Sequence, residues 1–300
     1  MKILLINPPP IGTLKAVGVL FPPLGLLYVA AYMEREGHQV VVKDLAVRKR
    51  KEDIDFRGYD VVGISTDTTR HDRALGLAKK AKAGGCTVVM GGPHPCFVDE
   101  QILLTRCVDF VVHGEGEATF SELAAALGKK EGGFHAVRGI SFLSNGDIVR
   151  TPRQPFIEDL DSLPFPARHL IHMDDYRRTR FGERDITPVI TSRGCPSQCA
   201  FCSSSIFFGM RWRPRSVESV LRELEEIYHR YHFSAVAFVD DTFNISSKRV
   251  VAISRGIVER KLDLWWWNLS RIDLLLRNEE MVEEMAKAGA KAVFIGVESS

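Results

Sequence analysis

The 300-residue sequence has no excess of charge of either sign: 40 Lys and Arg stand against 38 Asp and Glu, a net +2. Nothing in that balance points to nucleic acid or to an anionic membrane as a partner. No apolar run approaches the ~18 residues of a membrane span. The start, MKILLINPPP, carries one Lys, a short apolar run and then prolines, which is not a secretory pattern. The expectation is a cytoplasmic setting with reduced thiols. Cysteine is sparse, at 6 residues in 300, yet three of the six fall within RGCPSQCAFC, at Cys195, Cys199 and Cys202, and no other follows them. Cysteines scattered at a frequency of about 0.02 would give that one spacing in roughly two chains per thousand.

At 45% hydrophobic and 26% charged residues the composition is ordinary for a globular protein, and 300 residues allow about two domains. Basic runs at 48–51, 177–184 and 211–215 read as solvated surface. Over 1–130, Val/Ile/Leu-rich runs at 2–6, 39–43, 60–64, 87–90 and 109–112 alternate with helical patterns. Leu24, Leu27, Tyr28 and Ala31 recur at helical spacing and stop at Gly37, as do Ala74, Leu77, Ala78 and Ala81 before Gly84. Continuous apolar strands between helices predict an α/β domain whose parallel sheet is covered on both faces. A flavodoxin-like (Rossmann-type) sheet of five strands is expected, with its ligand at the strand carboxyl ends near the switch between the first and third strands.

Residues 131–185 read as a linker with a hairpin. Asn145-Gly146 is a turn signal between 140–143 and 148–150, and Asp161-Ser-Leu-Pro-Phe-Pro166 favours neither helix nor sheet. From 186 to 300 the alternation resumes. A strand at 189–192 leads into the cysteine loop. Ser216 is placed to cap a helix in which Val217, Val220, Leu221, Leu224, Ile227, Tyr228 and Tyr231 keep one face. Strands at 235–239, 264–269 and 292–297 alternate with helices around 253–258 and 281–288. This is the opening of a βα barrel, four units of it and then truncated, with function expected at the strand carboxyl ends. The run Trp265-Trp266-Trp267 reads as packing, since at most two of three successive strand side chains can line one cavity.

Three thiolates hold zinc if a histidine completes the set, and His229 or His232 could serve. The alternative is an iron-sulfur cluster. Cubane clusters usually take four cysteines, and three would leave one iron open, as catalytic metal sites keep a position open. Cys195-x3-Cys199-x2-Cys202, with Phe201 before the last cysteine, resembles the CxxxCxΦC signature of the radical S-adenosylmethionine (SAM) superfamily. That resemblance implies a 4Fe-4S cluster whose open iron is chelated by SAM, with Phe201 beside the adenine. An electron from the cluster would split the sulfonium bond into methionine and a 5′-deoxyadenosyl radical. It also implies that residues after the second barrel strand reach the SAM amino group. The usual Gly-Gly-Glu is absent there, leaving Asp240 and Asp241, for which capping of the following loop is the bland alternative. Glu298 and Ser299 match the ribose-contacting position, and Arg271 is a candidate for the SAM carboxylate.

The N-terminal region is similar to the cobalamin-binding domain fused ahead of radical SAM barrels. The matching pieces are Val62-Gly-Ile-Ser65, Gly91-Gly-Pro-His-Pro95 and His113-Gly-Glu-Gly-Glu117. The resemblance implies cobalamin contacts from Ser65, Thr66, Gly91, Gly92, Gly114 and Glu115, with Pro9 and Gly12 in the first loop. Cobalamin domains that supply an axial histidine carry DxHxxG after the first strand. Here Asn7-Pro-Pro-Pro-Ile-Gly12 stands in that place, with Pro9 where the histidine would be. His71 and His94 are nearby, though loop histidines ordinarily face solvent. Cys86, Cys96 and Cys107 show no metal spacing and read as small buried or partly buried residues.

The family implies a cobalamin-dependent radical SAM enzyme acting on a small-molecule substrate, with an electron donor such as flavodoxin or ferredoxin. Methylation of an unactivated carbon or phosphorus is the leading reaction. Radical cyclisation or rearrangement without net methylation is the alternative, and a non-catalytic Fe-S or corrinoid carrier is the reading from another class.

Overall fold

The computed structural model describes residues 1–10, 19–47, 54–129 and 133–297. They form two compact units, Met1–Ile157 with Leu163–His172, and Glu158–Ser162 with Met173–Ser300. The Asp161-to-Pro166 stretch is where the chain crosses between them; apart from a short 3-10 turn at Leu160–Ser162 it contains no regular element. Among the described residues no helix is long and apolar enough to cross a membrane.

The first unit is built on a sheet of β1 (Lys2–Asn7), β2 (Gln39–Asp44), β3 (Val61–Ser65), β4 (Thr87–Gly91) and β5 (Phe110–Val112), all parallel in the order β2-β1-β3-β4-β5. Side chains of β1 alternate between two cores, which is why the strand reads as one apolar run. Ile3 and Leu5 pack with helices α1 (Leu24–Arg35) and α4 (Gly116–Leu127) through Leu27, Ala30, Phe120 and Leu123. Leu4 and Ile6 pack on the other face with α2 (His71–Ala83) and α3 (Asp99–Leu104) through Ala74, Ala78, Ile102 and Leu103. The five strands stand in the expected flavodoxin-like order. The hairpin expected within the connecting stretch extends this sheet: β6 (Ile140–Ser144) and β7 (Asp147–Arg150) add antiparallel at the β5 edge, making seven strands. Phe142 and Ile140 bury into the same core as Phe110, so hydrophobic burial fixes the hairpin to the edge.

The second unit contains a sheet in the order β14-β13-β12-β9-β8, from β8 (Arg180–Phe181), β9 (Arg184–Val189), β12 (Ala235–Phe238), β13 (Trp265–Ser270) and β14 (Ala290–Ile295). The last four are parallel neighbours in chain order, as in the opening of a βα barrel. Its helices are α5 (Val217–Glu225), α6 (Ser247–Glu259), α7 (Ile272–Leu276) and α8 (Glu279–Lys287). A single helical turn at Ser204–Phe207 precedes α5. The Ser216 hydroxyl caps α5 by accepting from the Ser219 NH.

The first barrel strand differs from the expectation of 189–192. It runs Arg184–Val189 through Pro188, and the later pair Ser192–Arg193 (β10) joins a separate ribbon with β11 (Arg213–Pro214). Proline argues against a strand, but β8 pairs with β9 only at residues 184 and 185 and the Ile186 NH meets Thr179 O, so beyond Ile186 one edge is open to a residue without an NH.

Candidate functional site

The cysteine loop is closed at its base by the β10–β11 ribbon, where Ser192 faces Pro214 and Arg193 faces Arg213. Gly194 turns the chain into it at φ 80°, and a Cβ there would lie 2.3 Å from the Arg211 carbonyl oxygen and 3.1 Å from that of Gly209. Only glycine fits that approach. The Cys195 NH donates to Gly209 O at 3.3 Å, and the Cys202 NH donates to Cys199 O at 3.1 Å. Cys199 is exposed while Cys195 and Cys202 are half-buried, and none of the three is in a disulfide. The Cys195 Sγ lies 3.4 Å from Thr242 Oγ1, just past the end of β12. The side chain of Phe201 is 71% exposed on the loop.

The donor set suits a cluster bound from one loop at the strand carboxyl ends. A zinc site completed by histidine does not fit. His229 and His232 follow α5, which leads the chain back to the start of β12, so they stand at the opposite end of that strand from the loop. Among the described residues no group of three or more His, Cys, Asp and Glu is placed to hold one metal ion.

Behind the loop lies a buried polar scaffold that the sequence pattern did not reveal. Asp240, 2% exposed, accepts from the Thr191 NH at 2.6 Å, the Thr191 hydroxyl at 2.5 Å and the Ser192 hydroxyl at 2.8 Å. Arg249 donates to Thr191 O at 2.8 Å, to Thr191 Oγ1 at 3.2 Å and to Arg215 O at 3.0 Å. Arg215 pairs with fully buried Glu223 and donates to Ile190 O at 2.9 Å. Burial pushes the Asp240 carboxyl up, against the pull of Thr191 and Arg249. Both oxygens of Asp240 thus hold the chain between β9 and the cysteines. Asp241 is half-buried, and its Oδ1 accepts from the Ser204 hydroxyl at 2.5 Å. The basic run 211–215, expected at the surface, divides: Arg211 is exposed and pairs with Glu158, whereas Arg213 and Arg215 are 2% and 4% exposed. Charge count could not separate them, because partners decide which arginine turns inward: Arg213 donates to Phe208 O and Arg215 meets buried Glu223, whereas the Glu158 carboxylate that Arg211 meets is itself exposed. The run 177–184 is likewise partly committed, with Arg177 between Asp174 and Asp185, and 48–51 lies outside the described residues.

Arg271 follows β13. Its NH and carbonyl both bond the side chain of Asn244, each at 3.0 Å, and its guanidinium donates to Ser197 Oγ at 2.6 Å inside the cysteine loop. Glu298 and Ser299 lie outside the described residues. Of the three tryptophans, Trp266 is fully buried and donates from Nε1 to Ala288 O at 2.8 Å, while Trp265 and Trp267 on the opposite face are half-buried.

In the first unit, Pro9, Ser65, Thr66, Gly91, Gly92, Gly114 and Glu115 all follow or end the adjacent strands β1, β3, β4 and β5, so the topology brings them to one rim. Gly12 lies outside the described residues. Gly92, at φ 103°, brings its backbone against Thr66, where a Cβ would be 2.5 Å from the Thr66 oxygen. At Gly91 a Cβ would meet only Val112, at an ordinary 3.6 Å. The fold itself does not require a bare backbone at 91, which suits close approach of a ligand there. Glu115 is committed to the chain, accepting from the Ile157 NH at 2.8 Å. His71 and His94 form an edge-to-face pair with centroids 4.5 Å apart on the same rim. Beside them Arg70 donates to Asn7 Oδ1 at 2.7 Å, a contact from the loop after β3 to the last residue of β1 that sequence reading missed.

A family model of the B12 binding domain matches residues 12–124, and one of the radical SAM superfamily matches residues 189–300. The chain belongs to the cobalamin-binding radical SAM family. An uncharacterized methyltransferase of Pyrococcus horikoshii is 40% identical over all of this chain and 66% of its own length. The anaerobic magnesium-protoporphyrin IX monomethyl ester cyclase of Rubrivivax gelatinosus is 28% identical over all of this chain and 56% of its own. Among solved structures, the radical SAM methyltransferase TsrM of Kitasatospora setae, with cobalamin and a 4Fe-4S cluster bound, superposes with a TM-score of 0.80 at 21% identity. That match covers 99% of this chain and 60% of TsrM. The chain spans two thirds or less of the length of each of these three relatives.

Proposed function

We propose that this chain is the cofactor-binding part of a cobalamin-dependent radical SAM enzyme that transfers a methyl group to an unactivated carbon or phosphorus. The observation that carries the reading is the three-cysteine loop at the carboxyl end of the first barrel strand, in a chain whose other unit matches the B12 binding domain. When bound, the cluster and SAM supply the radical, and cobalamin supplies the methyl carrier. Cys195, Cys199 and Cys202 would hold three irons and leave the fourth for SAM. Asp241, which bonds Ser204, and Arg271, which bonds Ser197, would meet the amino and carboxylate groups of SAM. Exposed Phe201 can close on the adenine. Ser65, Gly91 and Gly92 would receive the nucleotide tail, and Pro9 offers the cobalt no nitrogen. A one-electron donor such as flavodoxin or ferredoxin is part of the same proposal. The methyltransferase name of the P. horikoshii relative favours methylation, and the R. gelatinosus cyclase supports ring formation as the second reading.

Anaerobic reconstitution tests this directly. The expected result is about four irons per chain, and production of 5′-deoxyadenosine from SAM with dithionite. Cys195→Ser, Cys199→Ser and Cys202→Ser abolish both, whereas alanine at Cys86, Cys96 or Cys107 does not. Stoichiometric zinc with no iron uptake would sink the proposal. With cobalamin bound, the cobalt(II) spectrum should lack axial nitrogen splitting; splitting that disappears in His71→Ala or His94→Ala would overturn the histidine-free lower face.

A further inference from the structure

Arg271 is restrained from two sides. Asn244, 1% exposed, takes both of its main-chain polar groups, so the backbone at the end of β13 has one position. Asp273 takes the guanidinium in a fork, from Nε at 3.0 Å and from Nη2 at 3.3 Å. The remaining nitrogen, Nη1, is thereby aimed at the cysteine loop, where it meets Ser197 Oγ at 2.6 Å between Cys195 and Cys199. Ser197 is two residues from Cys195 and two from Cys199, so the charge meets the stretch that joins two of the three ligands, and Asp273 beside the guanidinium holds it above its ordinary value.

We propose that Arg271 is a positioning residue for the iron-sulfur site, clamping the cysteine loop through Ser197 and raising the reduction potential of the cluster by its fixed positive charge. This rests on the reading of Cys195, Cys199 and Cys202 as cluster ligands. A cubane held by three thiolates is anionic and gains a further negative charge on reduction, so a nearby cation stabilises the reduced form more than the oxidised one. Net charge and hydrogen bonding around the sulfurs are among the factors that set such potentials. Asp273 opposes the effect: it compensates part of the charge while fixing its direction. The two residues therefore act on the cluster with opposite signs. Loosening of the loop cannot produce that pattern, because losing either member of the fork would loosen it in the same sense.

The test is a dithionite titration of the reconstituted chain without SAM, following the reduced cluster by electron paramagnetic resonance. Omitting SAM removes any contribution from Arg271 contacting the SAM carboxylate. Arg271→Gln should shift the midpoint to more negative potential, Asp273→Asn should shift it to more positive potential, and Arg271→Lys should restore most of the wild-type value. Ser197→Ala keeps the charge but loses the clamp, so iron should pass to a chelator about tenfold faster, the effect of one charge-assisted hydrogen bond. Shifts of the same sign in Arg271→Gln and Asp273→Asn, or no shift in either, overturn the inference while leaving the cluster assignment intact. Wild-type protein that takes up no iron overturns both.

Discussion

Asp240 and Thr191 are bonded twice: the carboxylate accepts from the Thr191 NH at 2.6 Å and from its hydroxyl at 2.5 Å. The two residues are 49 positions apart, and their pairing joins the end of β12 to the strand that leads into the cysteines. Arg249 closes the arrangement by donating to the Thr191 oxygens. Asp240→Ala leaves the Thr191 NH and the Thr191 and Ser192 hydroxyls without their acceptor, and buried Arg249 without the opposite charge beside it. The expected cost is about 3–5 kcal/mol, read from the urea midpoint at unchanged slope.

Gly194 makes the loop possible by a backbone approach, so a left-handed conformation is only part of its role. Asparagine tolerates positive φ but carries the same Cβ toward Arg211 O. Gly194→Asn and Gly194→Ala should therefore both lose the loop, the alanine variant carrying a further cost of about 1–3 kcal/mol from the backbone conformation. Iron content after reconstitution checks this: retention in Gly194→Asn but not in Gly194→Ala would show that φ, and not the clash, is decisive.

The tryptophan run separates by face. Trp266→Ala removes a fully buried ring and its bond to Ala288 O, with an expected loss of about 3–5 kcal/mol. Trp265→Ala and Trp267→Ala, at half-buried positions, should each cost less than half as much. Thermal midpoints of the three variants give the order.

Histidines of the first unit, His113 and His71 among them, should make its stability depend on pH. His113 is held below the ordinary imidazole value of 6.5 first by burial, with Arg150 and Arg153 acting in the same sense and Asp99 opposing. His71 is lowered by burial and by His94, against Asp72. A folded state that resists protonation binds fewer protons than the unfolded chain, so stability is complete above the unfolded value of 6.5 and is lost as pH falls below it. Denaturant midpoints should decline from pH 7 to pH 5.5, and His113→Gln should flatten that decline. A midpoint that rises over this range would reverse the sign.

The parallel sheet of the first unit was legible because its strands are buried on both faces, and a strand such as Ile3 to Ile6 can satisfy two cores only by being apolar throughout. The cysteine loop was legible because ligand spacing within ten residues is a property of the chain itself. The start of the first barrel strand was not legible, since a proline within a strand is acceptable only where an edge is open, and whether Pro188 stands at such an edge depends on how far the pairing of β8 with β9 extends. Arg213 and Arg215 misled for a similar reason: a charge count cannot report burial that depends on Glu223 and Phe208 O receiving the guanidinium groups.

By itself the sequence determined which donor groups are available, three thiols on one loop and no imidazole in the stretch Asn7 to Gly12, because residue identity and short spacing fix donor chemistry. Tertiary structure alone decided what holds those ligands. Asp240 reaches Thr191 across β12 and β9, and Arg271 reaches Ser197 from a position 74 residues away. Such meetings depend on strand order and register, which the hydrophobic pattern of any one element does not encode.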